Sequence, residues 1–178
     1  MPGFVKELNR HPFTALTGVN TLFNALLHTD GFAELDFSTV KMCLGGGMAV
    51  QKAVAEQWKQ VTGVTLVEAY GLTETSPAAC INPVTLEEYN GYIGLPISST
   101  EGAIKGDDGP VLPAGEAGQL CIRGPQVMKG YWQRQEATEE VIDPDGWLHT
   151  GDIASMSEDG YFKIVDRNKD MILVSGFN

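Results

Sequence analysis

Apolar positions in the first half of the chain alternate between two periods. Residues 13–17 form an apolar run of strand length, and residues 20–28 place Leu22, Ala25 and Leu26 on one helical face. Residues 40–44 predict a second strand, which runs directly into Gly45, Gly46 and Gly47. Val50, Ala53, Val54, Trp58 and Val61 then fall on one stripe of a helix over residues 50–62, closed by Gly63. Residues 64–68 predict a third strand. Strands alternating with helices predict a mostly parallel sheet, because parallel neighbours need crossover connections.

The pattern changes near Gly91. Glycine and proline now recur every few residues, from Gly94 and Pro96 through Gly124, Pro125 and Gly130. Short β-type runs lie between them, at residues 102–105, 119–123 and 160–165. Regular turn punctuation around short strands predicts a small antiparallel β-barrel or sandwich. The expected fold class is therefore α/β plus β: part of a mostly parallel α/β sheet layer followed by that barrel. Residues 1–90 are assigned to the sheet layer, 91–165 to the barrel, and 166–178 to a polar hinge with one further strand at 171–174. An unpartnered apolar strand is an exposed edge, so the expectation is a fragment that ends just inside another domain.

Composition narrows the function classes. The chain has 178 residues, 43 % of them hydrophobic, enough for a packed core and inconsistent with disorder. It carries 12 basic and 23 acidic side chains, a net charge of −11. Without a basic cluster it is a poor nucleic-acid binder, since phosphate affinity rests on cations that displace counterions. Cys43, Cys80 and Cys121 lie far apart, so reduced core thiols are expected rather than a zinc site or disulfides. No apolar run approaches the roughly 20 residues of a spanning helix, and the start has no signal-peptide pattern. A cytoplasmic protein is expected.

The sharpest segment is Tyr70-Gly71-Leu72-Thr73-Glu74-Thr75-Ser76-Pro77, directly after the third strand. Ligands of open α/β sheets gather at carboxyl ends of strands. Gly71 permits close backbone approach, Thr73 and Thr75 offer hydroxyls to phosphate, and Glu74 is a hard oxygen ligand for Mg²⁺. A polar βα turn explains the same residues. Gly45, Gly46 and Gly47, at the neighbouring strand end, add weight to a site: with no Cβ, they let a flat group lie against the backbone opposite Tyr70.

These residues also carry a family resemblance. Residues 70–77 resemble the YGxTE core of adenylate-forming acyl-CoA synthetases. Residues 91–96 resemble the GxxGxP segment of that family, 124–132 its RGPxVMxGYW segment, 146–154 its WxxTGD segment and 166–170 its DRxKD hinge. With residues 18–24 added, the whole chain resembles the long-chain fatty-acid–CoA ligases within the family. The resemblance implies a reaction in which ATP activates a fatty acid as the acyl-adenylate and coenzyme A then takes the acyl group. It implies that Tyr70 stacks on adenine, with Gly45, Gly46, Gly47 and Gly71 lining the nucleotide. Thr73 would contact phosphate, Glu74 would hold Mg²⁺, Asp152 would accept both ribose hydroxyls, Arg167 would contact the ribose and Ile164 would pack under the purine. Thr73 and Glu74 are the catalytic candidates. Gly18, Val19, Asn20 and Leu22 would line the acyl pocket, and Lys169 would mark the hinge. By residue type alone, Asp152 also fits a turn after Gly151, and Lys169 a solvated linker.

The resemblance also leaves room for a homodimer and for peripheral contact with the inner membrane. A medium-chain or aryl acid in place of the fatty acid, or a non-catalytic nucleotide-binding module, remain the alternatives. His11 and His28 are expected at the surface, His149 as an orienting residue, and Tyr131 and Trp132 packed against the barrel. Glu136, Glu139, Glu140 and Asp143 read as a solvated acidic face. The family's phosphate loop ending in Lys and its later catalytic Lys are not among these residues. Each lost contact to a transferring group can cost about 3–4 kcal/mol, so the chain alone is expected to be inactive.

Overall fold

The computed structural model describes residues 1–106 and 109–167, which form parts of two compact units. The first unit comprises residues 1–69 and 82–91, and the second residues 70–81 with the described residues from 92 onward. The fold is an α/β layer with parallel strands, followed by a curled antiparallel sheet.

In the first unit, α1 (Pro2–Arg10) precedes β1 (Ala15–Gly18), α2 (Asn20–Leu27), β2 (Met42–Gly45), α3 (Lys52–Thr62) and β3 (Leu66–Tyr70), whose last residue belongs to the second unit. β1, β2 and β3 pair in parallel, Gly18 opposite Gly45 and Gly45 opposite Glu68. The periodicity predicts α2 and α3, but the buried faces are rotated from the expected stripes. α2 buries Asn20, Phe23 and Leu26, while Leu22 folds back towards Gly18, where a Cβ would stand 2.6 Å from its Cδ2. α3 buries Val54, Ala55, Trp58 and Thr62 and leaves Ala53 exposed. Thr62 is tolerated inside because its hydroxyl donates to Trp58 O at 2.8 Å. Gly63 closes the helix at φ +74°, its N–H on Lys59 O. α1 escapes the periodicity argument because Val5 is its one buried residue.

Trp58 is the centre of this core. It is fully buried, with Phe23 edge-on at 4.8 Å between ring centroids and Phe32 at 5.2 Å. Residues 82–91 have no regular structure but are tied down by hydrogen bonds. Asn82 donates its N–H and Nδ2 to Glu68 O at 3.1 Å each, and Thr65 donates to Glu87 O at 2.7 Å.

In the second unit, β4 (Cys80–Ile81) pairs antiparallel with β5 (Leu95–Pro96). β6 (Glu101–Lys105), β7 (Ala117–Arg123), β8 (Leu148–Met156) and β9 (Phe162–Arg167) form an antiparallel sheet in that order, with the short α4 (Gln135–Glu139) between β7 and β8. Bulges between Gln119 and Cys121 and between Ile153 and Ala154 bend the ladder. Ile104, Leu120, Ile122, Ala154 and Phe162 make the core. β8 does not stand out in the sequence because Gly151, at φ +76°, and the buried Asp152 interrupt its apolar alternation. The strand predicted at 171–174 lies outside the described residues.

The three cysteines are free and buried, as their spacing predicts. Burial pushes the Cys43 and Cys121 thiols up to about 11 and Cys80 to about 12, which leaves them unreactive at neutral pH.

Trp58→Ala should cost about 3–5 kcal/mol, the range for deleting a fully buried large aromatic. The expected result is a lower denaturant midpoint with an unchanged slope.

Candidate functional site

The glycine run begins at the end of β2, and neighbouring groups stand close to the place of each missing side chain. A Cβ on Gly45 would lie 2.4 Å from Val50 Cγ2, so the valine methyl occupies that space. Gly46 N–H donates to Gly18 O at 3.0 Å, and its missing Cβ would stand 3.4 Å from Ala69 O. Gly47 turns the chain at φ +76°, with Val19 Cγ1 3.5 Å from its Cβ position. The structure thus brings Gly18 and Val19 against the glycine run. Asn20 is buried, and its Oδ1 accepts at 2.9 Å from the N–H of Gln51, the residue that precedes α3. Asn20 is therefore engaged with backbone.

In the second unit the phenol of Tyr70 donates to Asp152 Oδ2 at 2.6 Å. Asp152 is buried, and this charge-assisted bond fixes the carboxylate against the aromatic ring. Burial, then the neighbouring Asp152, pushes the Tyr70 phenol far up, so it keeps its proton. Behind Asp152, its own N–H donates to Thr150 Oγ1 at 3.2 Å, and Thr150 donates to Leu120 O at 2.8 Å. β9 runs alongside with Arg167 opposite Asp152. Ile164 packs, half-buried, against the core of the sheet. The side chain of Arg167 and all of Lys169 lie outside the described residues.

Gly71 is required by space, since a Cβ there would stand 1.6 Å from Pro77 O. Thr73–Thr75 makes a single 3₁₀ turn. Thr73 is exposed and Thr75 fully buried. The expectation that both offer hydroxyls to a ligand fails for Thr75, whose oxygen accepts from Leu72 N–H at 2.9 Å and lies 2.9 Å from Pro77 O. That hydroxyl closes the turn.

Glu74 is held at two points by one segment. Its backbone O accepts from Met128 N–H at 2.8 Å, and its Oε1 accepts from the Tyr131 phenol at 2.7 Å. The hydrogen bond to Glu74, with burial second, pushes Tyr131 up to about 12. Tyr131 and Trp132 were expected to pack against the barrel, yet Trp132 is 87 % exposed and Tyr131 reaches Glu74 instead. Apolar bulk suggested packing, and nothing in the spacing pairs residue 131 with residue 74.

Among the described residues, no cluster of three or more His, Cys, Asp or Glu could cage a metal. Glu74 is part-exposed and engages one of its oxygens with Tyr131. A single carboxylate fits Mg²⁺, which keeps several waters and is completed by substrate phosphates rather than by an all-protein cage.

Comparison with known proteins gives a consistent picture. Residues 1–132 match the AMP-binding enzyme family. The chain is 61 % identical over all 178 residues to a long-chain-fatty-acid–CoA ligase from Yersinia pestis, of which it spans 32 %. ATP-bound MatB from Rhodopseudomonas palustris superposes on the whole chain with a TM-score of 0.84 at 30 % identity, across 35 % of that protein. The anthranilate CoA ligase AuaEII, in complex with anthranoyl-AMP, superposes on 98 % of the chain with a TM-score of 0.85 at 27 % identity, across 33 % of that protein. The chain thus spans about a third of the length of the proteins it matches.

One cluster in the second unit has a role that charge patterning misses. Asp143 was expected on a solvated acidic face, but its carboxylate lies 3.1 Å from Lys105 Nζ and 3.2 Å from His149 Nε2, and accepts from Trp147 N–H at 2.9 Å. His149 Nδ1 is 2.8 Å from Gln119 Oε1, a contact between β8 and β7. The Trp147 ring is flanked by Lys105 at 4.9 Å and Arg123 at 4.6 Å. Partial burial raises the Asp143 carboxyl, but the bonds from Trp147, Lys105 and His149 outweigh it and hold the group at about 2, below its ordinary 3.8. A lowered folded-state value gives stability that is present above the ordinary value and lost as pH falls through the folded one. Wild type should therefore lose its advantage over Asp143→Asn, about 1–2 kcal/mol after allowance for solvent screening, as pH falls from about 4 to about 2. Chemical unfolding at stepped pH measures it.

Proposed function

The chain belongs to the AMP-binding enzyme family, and on that premise we propose that the whole protein is an ATP-dependent long-chain fatty-acid–CoA ligase. In the first half-reaction a fatty carboxylate attacks the α-phosphorus of ATP, which forms acyl-adenylate and expels pyrophosphate. In the second, the thiol of coenzyme A attacks the acyl carbon, which forms the thioester and releases AMP.

The observation that carries the nucleotide part of this reading is the Tyr70–Asp152 hydrogen bond, 2.6 Å across 82 residues of sequence. It places an aromatic face and a buried carboxylate side by side, the two chemistries that adenine and a ribose diol need. In this reading Tyr70 stacks on the purine, with Ile164 packing beneath it, and Asp152 accepts both ribose hydroxyls, with Arg167 on the same sugar. Gly45, Gly46, Gly47 and Gly71 let the nucleotide approach backbone. Thr73 donates to phosphate. Glu74, oriented by Tyr131, would hold Mg²⁺, whose charge would offset that of the phosphates. Gly18, Val19 and Leu22 contribute to the acyl pocket, with Asn20 fixing its backbone, and Lys169 serves as the hinge.

The preference for a long-chain acid rests on the 61 % identity to the Yersinia pestis ligase. An aryl acid is the second reading, supported by the likeness to AuaEII at 27 % identity. A cytoplasmic protein with peripheral contact at the inner membrane, and a homodimer, complete the proposal. No helix among the described residues is long and apolar enough to cross a membrane.

ATP–pyrophosphate exchange by the full-length protein tests the reading. Palmitate should support exchange better than octanoate or anthranilate, and a preference for anthranilate would favour the aryl reading. Asp152→Ala should weaken ATP binding about 100-fold, the loss of two hydrogen bonds to a charged group, as read by calorimetry. Equal binding by wild type and variant would count against the site.

A further inference from the structure

Glu68 is a buried carboxyl with no role in the reaction above. It lies on β3 opposite Gly45 and is 6 % exposed. None of the ion pairs among the described residues includes it. Its surroundings form a ring of three polar contacts. Val50 N–H donates to Glu68 Oε1 at 3.2 Å, the Tyr89 phenol donates to Val50 O at 2.6 Å, and Glu68 Oε2 lies 3.2 Å from the Tyr89 oxygen.

Counting protons around the ring decides its state. Val50 contributes one proton and Tyr89 one. The short Tyr89–Val50 contact takes the phenol proton, because two oxygens at 2.6 Å without one between them would oppose lone pairs. With Glu68 ionised, its contact with Tyr89 has no proton left. With Glu68 neutral, its hydroxyl supplies the third and every contact is a hydrogen bond.

We propose that Glu68 is a neutral carboxylic acid in the folded protein, donating to Tyr89 and closing a ring that clamps both backbone groups of Val50. Burial favours the same state by raising the Glu68 carboxyl above its ordinary value. Tyr89, the titratable group that faces it, is itself pushed up by burial and by Glu68, and so keeps its proton. On α3, Lys52 and Glu56 pair with each other at the surface, and Glu87 and Glu88 on the neighbouring segment are exposed.

The clamp matters because Val50 seats the glycine run, with Cγ2 in the place of the missing Gly45 Cβ. Glu68 and Tyr89 are thus positioning residues for Gly45, Gly46 and Gly47. The consequence for nucleotide binding rests on the ligase reading; the protonation state does not.

The test uses Glu68→Gln, Glu68→Ala and Tyr89→Phe in the full-length protein. Glutamine reproduces the neutral acid, with one oxygen to accept from Val50 and one N–H to donate to Tyr89. The infrared difference spectrum of wild type minus Glu68→Gln at neutral pH should show a protonated carboxyl band that shifts in D₂O; carboxylate bands alone would overturn the proposal. A raised folded-state value means stability is complete below the ordinary 4.5 and lost as pH rises towards the folded one. Across that window the folding constant of wild type should fall about tenfold per pH unit relative to Glu68→Gln. Parallel profiles, or a glutamine variant that fails to fold, would refute it. Mg·ATP affinity should stay within about twofold of wild type in Glu68→Gln and drop about tenfold in Glu68→Ala and Tyr89→Phe, which leave ring members unpaired. Should affinity stay constant while the infrared band is present, the ligase reading of the glycine run fails and the protonation state stands.

Discussion

A buried carboxylate is costly unless donors are aimed at it, and the second unit is organised around that constraint at Asp152. The Tyr70 phenol supplies one donor. Thr150, anchored on Leu120 O, takes the Asp152 N–H and so fixes the backbone beneath the side chain. The bulge after Ile153 and the positive φ at Gly151 bend β8 on either side of it. The bulge and the glycine cost regular sheet structure, and with the hydrogen bonds they hold one carboxylate in one place.

The same physical economy appears at Glu74 and Glu68, with different outcomes. Glu74 is the middle residue of a short turn, part-exposed, and one of its oxygens accepts from Tyr131. Glu68 lies inside the sheet, where no cation reaches it among the described residues and a proton is the cheapest counter-charge. In a chain of net charge −11, these carboxylates each find a different compensation. Asp143 takes the third route, gathering Lys105 and His149 around itself.

Much of this was legible in the sequence because it depends on local rules. Alternating periods give β1, α2, β2, α3 and β3, and Gly63 marks its helix end. Tyr70, Glu74 and the glycine run stand out because they follow strands. What stayed hidden depends on contacts distant in sequence. Tyr131 reaches Glu74 across 57 residues, and Asp143 reaches Lys105 across 38. Thr75 looked like a ligand because a hydroxyl in a motif carries no mark of whether it faces the solvent or its own turn. β8 was obscured for the converse reason: the residues that make it useful, Gly151 and Asp152, break the alternation that announces a strand.

The exposure of Trp132 has an optical consequence. The three tryptophans of the chain occupy three dielectric settings: Trp58 in the aromatic core, Trp147 between two cations, and Trp132 in water. Their emission should therefore separate by wavelength, with Trp132 furthest to the red and most open to aqueous quenchers. Trp132 directly follows the tyrosine that holds Glu74, so this solvent-facing fluorophore stands next in the chain to a residue of the candidate site.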